Sequence, residues 1–84
     1  MKKYIATCYG SIIEEGGNPE RCEFMIIAND REEAEDLCKS EVVSILNDNM
    51  FIEHVEIEDD GIMAHRTDGT KEWYADFDAE EMVA

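Results

Sequence analysis

The chain has 84 residues, of which 22 are acidic and 7 are basic, and its formal net charge at pH 7 is −15. A chain of this length forms one small domain with a modest core, so a deep active-site cavity is not expected. A surface this negative repels nucleic acid and anionic membranes and attracts basic surfaces. Direct binding to DNA, RNA or a membrane is therefore excluded from the function classes considered.

A hairpin of two strands is predicted at the start of the chain. Residues 3–13 and 21–28 are rich in β-branched and aromatic side chains with a period of two, and residues 14–20 between them hold two glycines and the only proline. One face of the hairpin is assigned to the core through Tyr4, Ala6, Cys8, Ile12, Cys22, Phe24, Ile26 and Ala28. The other face is more apolar than a solvated sheet surface needs to be; it carries Ile5, Tyr9, Ile13, Met25 and Ile27.

Residues 30–46 are predicted to form the one helix. Apolar residues recur there at three- and four-residue intervals, which indicates a helix with one buried side; they are Ala34, Leu37, Cys38, Val42, Ile45 and Leu46. Asp30 is expected to cap the first turn, and Glu33 to reach back to the amide of Asp30 as in a capping box. The acidic first turn also suits the positive end of the helix dipole.

Three more short strands are predicted after the helix, at 50–58, 62–67 and 71–75, with turns at Asp59-Asp60-Gly61 and Asp68-Gly69. Phe51, Val55 and Ile57 are assigned to the buried face of the first of them. Glu53 falls on that face too, so either the strand frays there or its register shifts.

The acidic segment 76–84 is interpreted as a short turn capped by Asp78 or as a mobile tail. The whole chain, 1–84, is thus one α+β domain, with one helix on an antiparallel sheet of four to five strands in the order β-β-α-β-β-β.

The acids are unevenly distributed. Residues 48–84 hold 12 of the acids and only 2 of the bases. Alternate residues of a strand lie about 6.8 Å apart, so strand carboxylates form a row of negative charge comparable with the phosphates of a nucleic-acid strand. The first candidates for contact with a basic partner are Glu53, Glu56, Glu58, Asp59 and Asp60, and the second are the helix acids Glu32, Glu35 and Asp36. The alternative is that this charge only keeps the protein in solution.

Two aromatic residues, Trp73 and Tyr74, are placed on an edge strand, with one ring directed inward and the other outward. The outward ring is a candidate anchor for a partner, and Tyr74 is included in the predicted partner-binding set on that ground. A core tryptophan beside an exposed tyrosine is the plainer interpretation.

No catalytic residue, metal site or cofactor is predicted. His54 and His65 are expected to face each other across a hairpin, but two histidines without a cysteine pair are an incomplete zinc set. Cys8, Cys22 and Cys38 match no metal or redox spacing and are read as buried, inert thiols in a reducing compartment. Polar residues interrupt the N-terminal apolar segment before a signal-peptide core is formed. We therefore expect a non-enzymatic protein of the cytoplasm.

In size, acidity, single-helix architecture and lack of catalytic residues, the whole chain resembles the inhibitors that bacteriophages encode against bacterial defence, such as anti-CRISPR and DNA-mimicking anti-restriction proteins. This resemblance implies an inhibitor without turnover that acts in the cytoplasm of a bacterial host. It would occupy the positively charged site of a nucleic-acid-binding protein or ribonucleoprotein. The alternative hypothesis is a structural or regulatory subunit that forms a homodimer through the outer face of the first two strands.

Overall fold

The computed structural model describes residues 1–16 and 18–83 and confirms the α+β fold. Its strands are β1 (Lys2–Ile12), β2 (Glu20–Ala28), β3 (Ile52–Ile57), β4 (Gly61–Arg66) and β5 (Lys71–Glu81), and its helix is α1 (Arg31–Asn47). A 3₁₀ turn, Ile13–Glu15, follows β1. It opens the predicted loop 14–20, of which Gly17 lies outside the described residues. In the part of the chain described, α1 is neither long enough nor apolar enough to cross a membrane.

All five strands form one antiparallel sheet in the order β2-β1-β5-β4-β3. The strand that contains Trp73 and Tyr74 is thus the central one, and the prediction that these residues lie on an edge strand is wrong. That strand also continues to Glu81 instead of ending at Ala75. The segment predicted to be a capped turn or a mobile tail therefore lies mostly in β5, because it pairs with the start of β1; Ala84 lies outside the described residues.

A bulge divides β5 into two halves. Thr7 pairs with Asp78 and Tyr9 with Ala75, so two residues of β5, Asp76 and Phe77, lie opposite one residue of β1. Asp76 has a φ of 59°, in the left-handed region. The half before the bulge pairs with both β1 and β4, whereas the half after it pairs with β1 alone.

The helix packs on one face of the sheet through a single row of side chains four residues apart. Ala34, Cys38, Val42 and Leu46 are buried. Leu37 and Ile45, which were predicted to share this buried side, are 40% and 51% exposed. Ala6, Ala28 and Ala79 of the sheet lie in the same core cluster as Ala34 and Cys38, so small side chains fill this part of the helix–sheet contact.

The start of α1 is capped as predicted in one respect and differently in another. The Asp30 carboxylate accepts a hydrogen bond from the Glu33 amide at 2.8 Å. The Glu33 carboxylate, however, binds Asn29 through both its backbone and side-chain amides, and not the amide of Asp30. The hydrogen bond that a capping box makes from Glu33 to the capping residue is therefore made here to Asn29, one residue earlier.

Near β3 the structure confirms one of the two alternatives for Glu53, the register shift, and overturns two assignments to the buried face. The register of β3 shifts between Ile52 and His54, so Glu53 is an extra residue in the strand and not its frayed end. Because of that shift, Ile52 packs on the core together with Val55. Phe51 and Ile57, which were assigned to the buried face, are 58% and 70% exposed.

Candidate functional site

The five acids predicted as first candidates for partner contact lie on β3 and on the turn that joins it to β4. The Glu58 amide donates a hydrogen bond to the Gly61 carbonyl at 2.8 Å, which closes a tight turn with Asp59 and Asp60 at its tip. All five side chains are exposed; they are Glu53, Glu56, Glu58, Asp59 and Asp60. The turn is short, so its carboxylates are held close to the end of an ordered hairpin.

The negative charge of this turn is not cancelled by nearby bases. Within residues 1–16 and 18–83, no ion pair involves Glu53, Glu58, Asp59 or Asp60. Four of the bases are paired elsewhere, in the ion pairs Lys2–Glu81, Arg21–Glu23, Arg31–Asp78 and Arg66–Glu72. No direct ion pair in that part of the chain therefore offsets the charge of these four acids, and their field in solvent is weakened by ionic screening.

Glu56 differs from its neighbours because it contacts two histidines on the outer face of the hairpin. His54 and His65 face each other across β3 and β4 as predicted, with ring centroids 5.5 Å apart. The Glu56 carboxylate lies 3.1 Å from Nε2 of His65 and 3.5 Å from Nε2 of His54. No three His, Cys, Asp or Glu side chains in the described part of the chain are placed to hold a metal ion.

The helix acids predicted as second candidates lie in the first half of α1. Glu32 and Asp36 are exposed and Glu35 is half-buried. Nearby, Arg31 forms an ion pair with Asp78 of β5. This contact lowers the pKa of the Asp78 carboxyl and raises the pKa of Arg31.

One of the helix acids, Asp36, and the acidic turn lie near the same groove. A shallow groove of about 210 Å³ separates α1 from the β3–β4 hairpin and is lined by Lys39, Ser40, Val43, Ile57 and Ile62. The turn begins directly after Ile57, and Asp36 lies one helical turn before Lys39. The groove thus lies beside the acidic turn and one helical turn from Asp36, and Lys39 of α1 is the charged residue in its lining.

Tyr74, the remaining predicted contact residue, is not a free surface anchor. Its ring packs against the backbone of Gly10 on the helix side of the sheet, where a Cβ built at Gly10 would lie 2.3 Å from Cε1 of the ring. Its hydroxyl donates a hydrogen bond to Glu72, and burial together with this bond raises the pKa of Tyr74. Trp73, on the opposite face of β5, is half-buried.

Glu72 is a candidate site residue that was not predicted from the sequence. This carboxylate is the one buried charged side chain among the described residues, at 9% exposure, and it accepts hydrogen bonds from Arg66 and Tyr74. It lines a cleft of about 260 Å³ beside Gly10, Ser11, Asn18, Glu20 and Tyr74. The sequence did contain a signal for it: side chains alternate along residues 71–75, which places Glu72 on the same side of the strand as Tyr74.

The thiols are placed as predicted, toward the core. Cys8 and Cys38 are fully buried and Cys22 is half-buried, and all three are free. A hydrogen bond to Cys38 and burial raise the pKa of Cys8, and burial raises the pKa of Cys22 to about 11. Little of either thiol is therefore present as the nucleophilic thiolate at neutral pH.

The chain significantly matches no protein-family model, no curated protein and no solved structure.

Proposed function

We propose that this protein is an acidic, non-catalytic inhibitor that binds a basic nucleic-acid-binding protein or ribonucleoprotein, such as a CRISPR effector, and blocks its nucleic-acid site. The observation that carries the proposal is the uncompensated acidic turn, Glu58 to Asp60, at the end of an ordered hairpin. The acids Glu32, Glu35 and Asp36 lie in the first half of α1, and Asp36 is one helical turn from the groove beside the acidic turn. A cationic cleft that normally holds phosphates would meet these carboxylates.

Ordered structure matters for such a role because a flexible acidic segment would lose conformational entropy on binding. Here the carboxylates are attached to a hydrogen-bonded hairpin and to a capped helix, so little ordering remains to be done. The net charge of −15 would attract a basic partner over long distances and make the association rate depend on ionic strength. The proposed site of action is the cytoplasm of a bacterial host.

The test compares two double charge reversals of equal size. Glu58→Lys with Asp60→Lys changes the turn, whereas Glu41→Lys with Asp48→Lys changes two exposed acids of α1 and its C-terminal cap. Inhibition of DNA binding is measured on purified CRISPR effector–guide complexes and restriction enzymes, at about 50 mM and about 300 mM salt. We expect the turn variant to lose about tenfold or more in potency at low salt and the α1 variant to change by less than about threefold.

Equal losses in the two variants would contradict the assignment of the turn, and inhibition insensitive to salt would contradict an electrostatic mechanism. Glu14 is not a suitable control position, because its carboxylate accepts a hydrogen bond from the Lys71 amide at 2.9 Å. Glu56 is left unchanged because it contacts two histidines.

A second candidate function, a subunit that forms a homodimer, is favoured by the outer face of β1 and β2. Met25 and Ile27 are 64% and 55% exposed there, and Tyr9 is 39% exposed. Cross-strand pairing places Ile5 beside Met25 and so joins these side chains into one patch. Light scattering would reveal a dimer, which Ile27→Asp should dissociate while the exposed Ile57→Asp on β3 should not.

A further inference from the structure

The cleft that contains Glu72 is a second concave feature on the helix side of the sheet, separate from the acidic turn. It is lined by Gly10, Ser11 and Ile12 of β1 and by Glu72 and Tyr74 of β5. Asn18 and Glu20, before and at the start of β2, also line it. The volume of about 260 Å³ is enough for one long side chain or one small molecule.

The polar groups of this cleft are arranged mainly to accept hydrogen bonds. A carboxylate offers only acceptors, and the cleft has two, Glu20 and Glu72. The Tyr74 hydroxyl donates its one proton to Glu72, so its oxygen has only lone pairs left for a ligand. Ser11 and Asn18 also have side-chain donors, but the charged groups of the lining only accept, so a complementary ligand is rich in donors.

The charges of the cleft distinguish among ligands of that kind. Arg66 binds Glu72 and offsets its charge, whereas the exposed Glu20 carboxylate forms no ion pair within the described residues. One negative charge thus remains at the mouth of the cleft, in the field of a protein with a net charge of −15. A singly charged cation with several donors matches this lining better than a neutral or anionic ligand.

We propose that the cleft binds a guanidinium group, with Glu20 at its mouth, and that in the complex with the basic partner this group is an arginine side chain. The guanidinium is planar, carries five N–H donors and has no acceptor, so it can bond to several of these oxygens at once. The identity of the donor as a partner arginine rests on the proposed function. Binding of the guanidinium itself does not depend on the proposed function.

The test uses the isolated 84-residue protein and a small probe, Nα-acetyl-arginine N-methylamide, followed through the backbone amide resonances in ¹⁵N spectra. The matched comparison is the corresponding citrulline amide, which has nearly the same shape and no charge. We expect saturable shifts at Gly10, Ser11 and Asn18, with a dissociation constant of about 1–10 mM, and much weaker binding of the citrulline compound.

One variant and one control locate the probe. Glu20→Gln removes the unpaired charge and should weaken binding by about tenfold. Glu58→Gln makes the same change in charge at the acidic turn and should have no effect. Each variant is first checked for an unchanged circular dichroism spectrum.

Equal binding of the citrulline compound, an equal loss in Glu58→Gln and Glu20→Gln, or shifts spread over the surface without saturation would each overturn the proposal. Saturable binding of the probe together with no inhibition of any effector complex would leave the guanidinium site standing and remove the proposed function. Inhibition that depends on Glu58 and Asp60, with no binding of the probe, would remove the guanidinium site and support the proposed function.

Discussion

The ring of Tyr74 lies against the backbone of Gly10 across the β1–β5 pair, so close that a Cβ at residue 10 would be 2.3 Å from Cε1 and 2.6 Å from Cδ1 of the ring. The position therefore requires glycine for reasons of space. The same contact sets the position of the Tyr74 hydroxyl, which donates to the buried Glu72 carboxylate. One glycine thus determines the shape of the cleft.

Gly10→Ala should lower the free energy of unfolding by about 1–3 kcal/mol, because the added methyl group displaces the Tyr74 ring. Urea unfolding, followed by circular dichroism, measures this change. The same substitution in a Tyr74→Ala background should cost much less, since the clashing ring is gone. An equal cost in both backgrounds would show that the ring is not the cause.

The Asp76→Gly variant should be more stable than the Asp76→Ala variant, because the φ of residue 76 is 59°, in the region where a Cβ is unfavourable. Both substitutions remove the same charge, so their difference isolates the backbone term. We expect Asp76→Gly to exceed Asp76→Ala by about 1 kcal/mol in free energy of unfolding. No difference between the two would mean that the bulge adopts another conformation in solution.

The Arg31–Asp78 ion pair should make part of the stability depend on pH in the acid range. Arg31 lowers the pKa of the Asp78 carboxyl, so the native state binds this proton less readily than the unfolded state. The resulting stabilisation is complete above the ordinary carboxyl pKa of about 3.9, and it disappears as the pH falls through the lower native value.

Asp78→Asn should accordingly lower the melting temperature at pH 7, and the difference from the original protein should shrink between about pH 4 and pH 2. The same substitution in an Arg31→Gln background should have a smaller effect. The part that remains there is the hydrogen bond that Asp78 accepts from the Ala79 amide at 2.9 Å. A difference in melting temperature that is the same at pH 7 and pH 2 would rule out this source of pH dependence.

Cys22 should react slowly with iodoacetamide in the native protein, because burial raises its pKa to about 11. At pH 8 its thiolate fraction, and with it the alkylation rate, should be about two orders of magnitude below that of a free cysteine. Mass spectrometry after digestion gives the rate for each cysteine. Unfolding in urea is the control and should bring all three thiols to similar rates; fast reaction of Cys22 in the native state would contradict its half-buried placement.

Much of the fold was predictable because local patterns carry it. The capping carboxylate of Asp30 and the four-residue spacing from Ala34 to Leu46 identify α1, and alternation identifies the faces of β1 and β2. The turn at Asp59 and Asp60 follows from its composition. These features depend on residues close together in the chain, so the sequence contains the whole signal.

The end of β5 was not predictable in the same way. The segment from Asp76 to Glu81 is mostly acidic and has the composition of a tail. It becomes a strand because it pairs with residues 4–7 of β1, some 70 positions away in the sequence, and the left-handed Asp76 lets the strand bend there.

By itself, the sequence determined which elements form, which face of each is apolar, and that the molecule carries a large excess of negative charge. Only the tertiary structure decided that β5 is the central strand, that Tyr74 is held over Gly10, and that Glu72 is buried beside a cleft. The physical reason is the distance along the chain between the residues that interact. Periodicity and capping act between neighbouring residues, whereas strand order and burial depend on pairings between distant parts of the chain.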